Sequence, residues 1–439
     1  MKEKNIKLYQ KIITKNAHIS VIGLGYVGLP LLLAFGKEGF SVTGIDIDNE
    51  KIEKLKQNTS YISDISNKEL LDTINTIKNV NFTNKYNSIE NSDAIIICVP
   101  TPLNKTKDPD ISYIINATEQ LAKYSLKNKL ISVESTVYPG ATEELILPTI
   151  IKQNPNLTVG NDFNLVFSPE RVDPGQNYWN LKNTPKIIGG ITKNCTEIGT
   201  ALYGTLCNQV VQVSSARAAE MTKLLENTFR ATNIGLVNEM AIISQKLDID
   251  IWEIVEAAKT KPFGFMPFYP GPGLGGHCIP VDPRYLDWKL ETLNSESKFI
   301  KLSEEINFSM PNFVVSRIKN IFKNLIITNP KILILGLAYK PNVSDIRESP
   351  SIDIMTLLNE EDIKFQYNDP MVKSIEIEGQ TYKSQNIDSE LLKNTDLAII
   401  STDHSIYNWE YITNNLKYIF DTRNALRNIK KSKAKIFKL

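Results

Sequence analysis

The first third of the chain alternates short apolar runs with helical segments. His18–Ile22 and Ser41–Ile45 are predicted as buried strands, and an apolar helix from about Leu29 to Glu38 separates them. Ala94–Val99 and Leu130–Val133 are further short, strongly apolar runs. Strands that alternate with helices are typical of a parallel, doubly wound sheet. We therefore predict an α/β domain of this class.

Helical spacing dominates the middle of the chain. Apolar residues recur at helical intervals from Ala218 to Lys246, which predicts a long helix, and Ile251–Lys259 predicts a second one. A loop rich in proline, glycine and aromatic residues then runs from Lys261 to Pro283. Further helix is predicted from there to about Asn324.

The last region repeats features of the first. Lys331–Leu335 ends in Gly336-Leu-Ala-Tyr, which echoes Gly23-Leu-Gly-Tyr, and Thr395–Ile400 echoes Ser92–Ile97 in the same order. Two echoes in one order predict a degenerate second doubly wound domain. Its loop lacks the second glycine, which disfavours close approach of a pyrophosphate there.

Gly23-x-Gly25-x-x-Gly28 lies between a predicted strand and a predicted helix, as in dinucleotide-binding domains. Asp46 ends the second strand, 46 − 28 = 18 residues after the last glycine. A carboxylate there can accept hydrogen bonds from both ribose hydroxyls and would repel a 2′-phosphate, so NAD is favoured over NADP. Val99-Pro100-Thr101-Pro102 and Glu134-Ser135-Thr136 also follow strands, although each segment alone is equally consistent with a rigid loop.

Composition and charge exclude several classes of partner. Lys plus Arg is 50 and Asp plus Glu is 49, which leaves no electrostatic footprint for nucleic acid or an anionic membrane. No apolar run approaches the ~18 residues of a membrane span, and the N-terminus lacks the apolar core of a signal peptide. Four cysteines and three histidines show neither disulfide nor zinc spacing, so we expect a reducing, cytoplasmic compartment and no metal.

Cys278 is the candidate nucleophile. It ends the glycine-rich stretch that follows Tyr269 and precedes a helix predicted at Pro283–Leu290. A helix N-terminus favours the thiolate form of a nearby cysteine. A Cys–His pair with His277 would leave the dinucleotide site unexplained. Lys223 and Asn227 share one face of the long helix, where a solvated face is the simpler interpretation.

Together these motifs resemble the UDP-glucose/GDP-mannose dehydrogenase family from Ile19 to about Leu426. The matching segments are Gly23–Gly28, Val99–Pro102, Glu134–Thr136, Ser168–Glu170, Lys223 with Asn227, Gly271–Asp282 and Gly336–Pro350. The resemblance implies two Rossmann-like doubly wound domains joined by a long central helix that also forms the core of a homodimer. The implied organisation is an N-terminal arm (1–17), an NAD-binding domain (18–213), a central helical region with the cysteine loop (214–325) and a UDP-sugar-binding domain (326–439).

The family oxidises the C6 alcohol of a nucleotide sugar to a carboxylate with two NAD, which explains a dinucleotide site and a reactive thiol in one chain. By resemblance, Cys278 is the nucleophile that forms a thiohemiacetal and then a thioester. Lys223 stabilises oxyanion charge, and Asn227 and Thr136 position the substrate oxygen or a water. Asp282 orients Lys223 or a water, and Glu170 is the general base for thioester hydrolysis.

The resemblance also implies two sets of binding residues. Those expected at the cofactor are Gly23, Gly25, Tyr26, Val27, Gly28, Asp46, Pro100, Thr101, Thr136 and Arg347. Those expected at the UDP-sugar are Glu170, Arg171, Lys223, Asn227, Tyr269, Gly273, Gly275, Gly276, Lys340 and Arg423.

One departure bears on the substrate. UDP-glucose enzymes continue after Ser-Pro-Glu with Phe-Leu and a second Glu, whereas this chain has Arg171-Val-Asp-Pro-Gly175. That pattern resembles the branch that acts on N-acetylated sugars. Ser60–Ile62 and the 261–273 stretch favour UDP-N-acetylglucosamine, with UDP-N-acetylmannosamine or UDP-glucose as alternatives. A catalytically dead NAD-binding module and a simple 3-hydroxyacid dehydrogenase are the remaining rivals, and neither uses Cys278.

Overall fold

The computed structural model describes residues 3–62, 65–104, 106–171 and 178–439. The chain forms two compact units. The first contains residues 1–226 and 284–294, and the second contains residues 227–283 and 295–439. The predicted domain boundaries stay predictions.

The helices extend over the following residues: α1 Glu3–Ile13, α2 Gly28–Lys37, α3 Asn49–Lys56, α4 Asn67–Thr76, α5 Ser112–Ala122, α6 Leu147–Gln153, α7 Lys193–Tyr203, α8 Ala216–Lys246, α9 Ile251–Lys259, α10 Asp282–Glu291, α11 Lys298–Leu325, α12 Pro350–Glu360, α13 Ser389–Lys393 and α14 Trp409–Asn415. A 3₁₀ segment at Tyr86–Asn91 and a π segment at Thr142–Ile146 accompany them.

The strands extend over the following residues: β1 His18–Ile22, β2 Ser41–Ile45, β3 Val80–Thr83, β4 Ala94–Ile97, β5 Leu130–Val133, β6 Asn164–Phe167, β7 Lys186–Gly190, β8 Val210–Gln212, β9 Lys331–Leu335, β10 Lys364–Asn368, β11 Ser374–Ile377, β12 Gln380–Lys383, β13 Leu397–Ile400, β14 Tyr418–Asp421 and β15 Lys435–Lys438.

The sheet of the first unit has the order β3-β2-β1-β4-β5-β6-β7-β8. The pairs from β3 to β6 are parallel, and β7 runs antiparallel to β6. The order reverses between β1 and β4, which is where ligands bind in open α/β sheets. Ser20 and Val21 point to opposite faces of β1 and are both fully buried, as expected for a strand covered on both faces. The predicted doubly wound fold is confirmed.

The second unit contains a parallel sheet of order β10-β9-β13-β14-β15 and a separate β11–β12 hairpin. Its first turn copies that of the first sheet. The Gly336 N–H donates to the Asn368 carbonyl at 2.9 Å, as the Gly23 N–H donates to the Ile45 carbonyl at 2.8 Å. This equivalence agrees with the predicted internal duplication.

The segment predicted as a polar arm forms helix α1. Its apolar positions Leu8 and Ile12 are buried in the core of the first unit. Asn5 is also buried, donating to the Gly160 carbonyl at 3.2 Å and accepting from Asn164 Nδ2 at 3.0 Å. The charges at the intervening positions conceal this amphipathic pattern in the sequence. Over the described residues, the helices lack the length and apolar character that a membrane span needs.

Candidate active site

The glycine loop after β1 has three glycines with three different surroundings. Gly23 has φ +91°, and an added Cβ would lie 2.5 Å from the Cys98 carbonyl oxygen. A Cβ at Gly28 would overlap the Gly23 carbonyl oxygen, so this glycine permits close packing of α2 on the loop. At Gly25, by contrast, an added Cβ would have no atom within 4 Å. Neither fold nor packing requires Gly25, whereas a ligand approaching the backbone would.

Helix α2 presents its N-terminus beside this open space. The N-cap residue, Val27, makes no side-chain cap hydrogen bond. Helix α3, in comparison, is capped by Asp48, which accepts from the Glu50 and Lys51 N–H groups. The first N–H groups of a helix have no intrahelical partner and attract anions. In α2 the Leu29 N–H donates to the Gly25 carbonyl at 3.1 Å, and Pro30 has no N–H. The Gly28 N–H is therefore the group of the first turn that fits the pyrophosphate of a dinucleotide.

Asp46 lies at the end of β2 as predicted. Its Oδ2 accepts from the Leu24 N–H at 2.9 Å, and its Oδ1 accepts from the Asp48 N–H at 3.0 Å. These bonds fix the carboxylate against the glycine loop, and Tyr61 supports the same loop by donating to the Leu24 carbonyl at 2.6 Å. Each carboxylate oxygen retains acceptor capacity for a ribose hydroxyl.

The other predicted cofactor segments meet at the ends of β4 and β5. The Ser135 hydroxyl donates to the Val99 carbonyl at 2.8 Å, which ties the Pro100–Thr101 segment to Thr136. Thr101 and Thr136 are buried, and Tyr26 is exposed at the glycine loop. In the second unit, the Arg347 guanidinium pairs with Asp345 at 2.6 Å. Its predicted contact with the cofactor stays a prediction.

The cysteine loop leads directly into α10. Cys278 is exposed, and its carbonyl accepts from the Asp282 N–H at 2.8 Å, so the cysteine occupies the start of a helical turn. The other three cysteines are buried. Asn227 Nδ2 donates to Asp282 Oδ2 at 2.6 Å, which joins helix α8 to this loop within the second unit. Lys223 lies one turn before Asn227 on α8 and is buried.

The glycines of the cysteine loop pack tightly against the C-terminal sheet domain of their own unit. A Cβ at Gly271 would lie 2.6 Å from Arg423 Nη1, and one at Gly275 would lie 2.6 Å from Tyr339 Cβ. The Gly276 N–H donates to the Arg347 carbonyl at 2.9 Å. These contacts bring the loop next to residues that follow β9 and β14.

The predicted sugar-binding residues Gly273, Gly275, Gly276, Lys340 and Arg423 therefore belong to one region of the second unit. Gly273 packs on Pro350, at the start of α12, and Lys340 directly follows Tyr339. Tyr269 is exposed and stacks on Trp252, and its hydroxyl donates to Glu256 at 2.7 Å. Parallel sheets bind ligands at the carboxyl ends of their strands, which is where Lys340 and Arg423 lie.

Glu170 and Arg171 follow β6 in the first unit. Glu170 Oε2 lies 3.3 Å from Lys186 Nζ, and Glu170 Oε1 accepts from the Arg171 N–H at 2.8 Å. The Arg171 guanidinium contacts Glu226 at 2.6 Å and the Pro185 carbonyl at 2.6 Å. The predicted substrate-specific continuation, 172–175, lies outside the described residues.

The second glycine loop is closed by protein groups. Asp369 Oδ2 accepts from the Leu337 and Ala338 N–H groups at 2.6 and 2.9 Å and contacts His404 Nε2 at 3.0 Å. Burial acts to raise the pKa of Asp369, but these hydrogen bonds hold that pKa below its usual range. The loop N–H groups thus have an internal anion, in keeping with the predicted loss of pyrophosphate binding at this copy.

Sequence reasoning missed two groups that position the site. Asn238 Oδ1 accepts from the Gly271 N–H at 2.9 Å, and its Nδ2 donates to Asn307 Oδ1 at 2.9 Å, so a buried amide pair holds the cysteine loop. Lys186 forms buried ion pairs with Glu134 and Glu170. Asn238 follows the apolar pair Leu236-Val237, and Lys186 precedes the apolar pair Ile187-Ile188. A polar residue at the edge of an apolar run was the available signal.

Comparison with known proteins agrees with this geometry. Three family models match in sequence: the NAD binding domain (17–207), the central domain (217–309) and the UDP binding domain (333–428) of the UDP-glucose/GDP-mannose dehydrogenase family. An NAD-binding domain followed by a UDP-binding domain defines an NAD-dependent nucleotide-sugar dehydrogenase. The chain belongs to the UDP-glucose/GDP-mannose dehydrogenase family.

Individual relatives are similar over most of their length. Protein CapL of Staphylococcus aureus is 35% identical over 92% of this chain and 93% of its own. The UDP-N-acetyl-D-glucosamine 6-dehydrogenase of Pseudomonas aeruginosa is 36% identical over 82% of this chain and 84% of its own. The structure of UDP-D-ManNAc dehydrogenase from Pyrococcus horikoshii superposes with TM-score 0.86 and 30% identity, covering 96% of this chain and 98% of its own.

Proposed function

We propose that the chain oxidises the C6 alcohol of a UDP-N-acetylhexosamine to a carboxylate through a covalent intermediate on Cys278. The hydrogen bond between Asn227 and Asp282 carries this proposal. It joins the central helix to the loop of Cys278, so Asn227 shares one unit with Cys278 and Asp282, which are far from it in sequence and expected to act with it. A dinucleotide dehydrogenase without a covalent step has no use for this arrangement.

The first unit supplies the cofactor site. The space at Gly25 admits the pyrophosphate, and the uncapped N-terminus of α2 faces its negative charge. Asp46 accepts hydrogen bonds from the ribose hydroxyls. NAD⁺ would supply the hydride acceptor there, one molecule for each of the two oxidations, so that one alcohol, two NAD⁺ and one water yield one carboxylate, two NADH and three protons.

The chain's own residues perform the covalent steps. The Cys278 thiolate adds to the C6 aldehyde carbon, and the Lys223 ammonium stabilises the negative charge that develops on the oxygen. Loss of the second hydride from this thiohemiacetal leaves a thioester. Water then attacks the thioester carbonyl, Glu170 takes its proton, and the carbon–sulfur bond breaks to return the thiolate.

The sugar and its C2 configuration are the finer part of the proposal. Arg171 replaces the Phe of glucose enzymes, and similar proteins carry names for both UDP-N-acetylglucosamine and UDP-N-acetylmannosamine. We keep UDP-N-acetylglucosamine as the first candidate, because Ser60–Ile62 and the 261–273 stretch favour it. UDP-N-acetylmannosamine is the second candidate, and the covalent chemistry is the same for both.

We also propose that the protein is a homodimer built on α8. Large apolar side chains are exposed along this helix at intervals of three, four or seven residues: Met221, Leu225, Phe229, Leu236, Met240 and Ile243. Leu247, the residue after the helix, continues the series. An apolar stripe of this length marks an interaction surface. A second copy is the natural occupant, because a two-fold axis pairs a stripe with itself.

The decisive experiment measures NADH and the covalent state of the protein together. With UDP-N-acetylglucosamine, the unmutated enzyme should form two NADH per sugar and a uronic acid. Cys278→Ser should abolish the full reaction, whereas Cys195→Ser, which alters a buried cysteine, should retain it. Glu170→Gln should release a burst approaching two NADH per site and retain a UDP-uronyl adduct that hydroxylamine removes.

Three outcomes would contradict the proposal. Accumulation of the aldehyde with one NADH per sugar would refute the four-electron reaction. Full turnover by the Cys278→Ser variant would refute the proposed covalent step. A higher kcat/KM for UDP-glucose than for both N-acetylated sugars removes the substrate class, whereas a preference for UDP-N-acetylmannosamine changes only the epimer.

A further inference from the structure

A chain of hydrogen-bonded polar side chains extends behind Glu170 into the core of the first unit. Ser132 Oγ lies 2.8 Å from the Tyr203 hydroxyl, and that hydroxyl donates to Glu134 Oε1 at 2.5 Å. Glu134 Oε2 accepts from Lys186 Nζ at 2.8 Å, and the same ammonium reaches Glu170 Oε2 at 3.3 Å. The chain therefore ends at the carboxylate proposed as the general base.

Burial makes this arrangement costly as a purely structural device. The side chains of Lys186, Glu134 and Glu170 are 4%, 0% and 10% exposed. Removing charges from water costs several kcal/mol per ion, and well-packed apolar residues often stabilise such a position equally well. A buried cation with two carboxylates therefore calls for a further role.

The neighbouring thiols and the Tyr203 hydroxyl contribute no charge to this cluster near pH 7. Burial raises the pKa of Cys98 well above its usual value and raises that of Cys207 to about 11, so both thiols are neutral near pH 7. Burial and the neighbouring Glu134 also keep the Tyr203 hydroxyl protonated by raising its pKa. Burial acts to lower the pKa of Lys186, but Glu134 and Glu170 hold it above its usual value. Burial likewise raises the pKa of Glu134, and the ion pair with Lys186 opposes that rise.

Among the residues that the structure describes, helix α8 brings two further charged side chains close to the cluster. Lys223 on α8 acts electrostatically on the same Cys98 thiol, and Glu226 on α8 is neutralised by Arg171. Neither replaces Lys186, which lies within ion-pair distance of Glu170.

We propose that Lys186, held in place by Glu134 and Tyr203, is the positioning residue of Glu170: it orients the carboxylate and sets the pH at which that carboxylate accepts the proton of the attacking water. This inference rests on the proposed function, because it assigns a partner to the proposed base. Glu134 is the closer and more deeply buried partner of the ammonium. When Glu170 takes up a proton, Lys186 therefore retains a counter-ion, and protonation leaves no unpaired buried cation.

The test is the pH dependence of thioester hydrolysis in a single turnover, followed by rapid quenching and mass spectrometry of the acyl-enzyme. Cys278 carries the acyl group at this stage and cannot titrate, so the acidic limb reports Glu170. Lys186→Met removes the cation and should move the midpoint up by about one pH unit. Glu134→Gln removes a like charge and frees Lys186 for Glu170, so the midpoint should move down by a similar amount.

Opposite shifts from two neighbouring substitutions are a result that general damage to the fold does not produce. Lys129→Met is the matched control, because Lys129 is also buried in this unit but donates to the carbonyls of Ile89, Glu90 and Ser92. The midpoint of the acidic limb should be unchanged in this variant. Glu134→Gln keeps the size of its side chain. Its amide oxygen can still accept from Lys186, and its NH2 group can donate to the Tyr203 oxygen when that hydroxyl donates to Ser132, so this variant decides the matter even where Lys186→Met does not fold.

Two results separate the inference from the proposed function. Unchanged midpoints in Glu134→Gln and Lys186→Met, with hydrolysis still blocked by Glu170→Gln, overturn the role of Lys186 and leave the base in place. Normal hydrolysis in Glu170→Gln overturns the base assignment and the inference with it.

Discussion

Gly25→Ala should separate cofactor binding from folding more cleanly than any other change in the glycine loop. The new methyl group would have no atom within 4 Å, and Gly25 does not have the positive φ that disfavours alanine. We therefore expect the free energy of unfolding to change by less than about 1 kcal/mol, with stabilisation favoured because alanine restricts the unfolded chain. The methyl group would instead occupy the space reserved for the pyrophosphate.

The expected loss in NAD affinity is at least about tenfold, which corresponds to ~1.4 kcal/mol. This estimate assumes that the pyrophosphate is displaced enough to weaken its hydrogen bonds to the N-terminus of α2, each worth ~1.5–3 kcal/mol when charge-assisted. Gly28→Ala is the matched control, because its methyl group would overlap the Gly23 carbonyl oxygen. Overpacking of this kind typically costs ~1–3 kcal/mol, or about 2–4 °C in Tm for each kcal/mol in a unit of this size.

The assay is a calorimetric titration with NAD⁺ beside a thermal melt of the same preparations. The Gly25→Ala variant should have the same Tm as the unmutated protein and bind NAD⁺ weakly, whereas the Gly28→Ala variant should have a lower Tm. If Gly25→Ala binds NAD⁺ with unchanged affinity, the open space is not the pyrophosphate site. If it melts as early as Gly28→Ala, our view of the packing at the loop is wrong.

Two further predictions concern cofactor choice and assembly. Asp46→Ala should weaken NAD binding and reduce discrimination against NADP, because the ribose acceptor and its negative charge are both lost; equal use of NAD and NADP by the unmutated enzyme would contradict this role. Leu225→Glu on the apolar stripe of α8 should shift the protein towards monomer in sedimentation velocity, whereas Leu71→Glu, an exposed leucine on α4, should not; a monomeric unmutated protein would remove the proposed dimer.

Local patterns were enough to predict many elements. The strands at His18–Ile22, Ser41–Ile45, Leu130–Val133 and Lys331–Leu335 have the predicted bounds, and α8 begins only two residues before the prediction. These segments are buried on both faces or periodic over many turns, so their own residues carry the information. Helix α1 was missed because its charged positions outweigh its apolar ones until Leu8 and Ile12 find a core to pack against.

The candidate functional residues also fall into two groups: those that the sequence identifies and those that only the fold brings into contact. The chain by itself determined that a glycine loop, Asp46 and Cys278 coexist, because each is recognised from a short motif with a fixed spacing. Only the tertiary structure decided that Asp282 accepts a hydrogen bond from Asn227. Its expected action on Lys223 or a water stays a prediction. The tertiary structure alone placed Lys186 between Glu134 and Glu170, since these residues come from different strands. Such contacts depend on strand order and register, which are set by packing of the whole sheet and leave no local pattern in the chain.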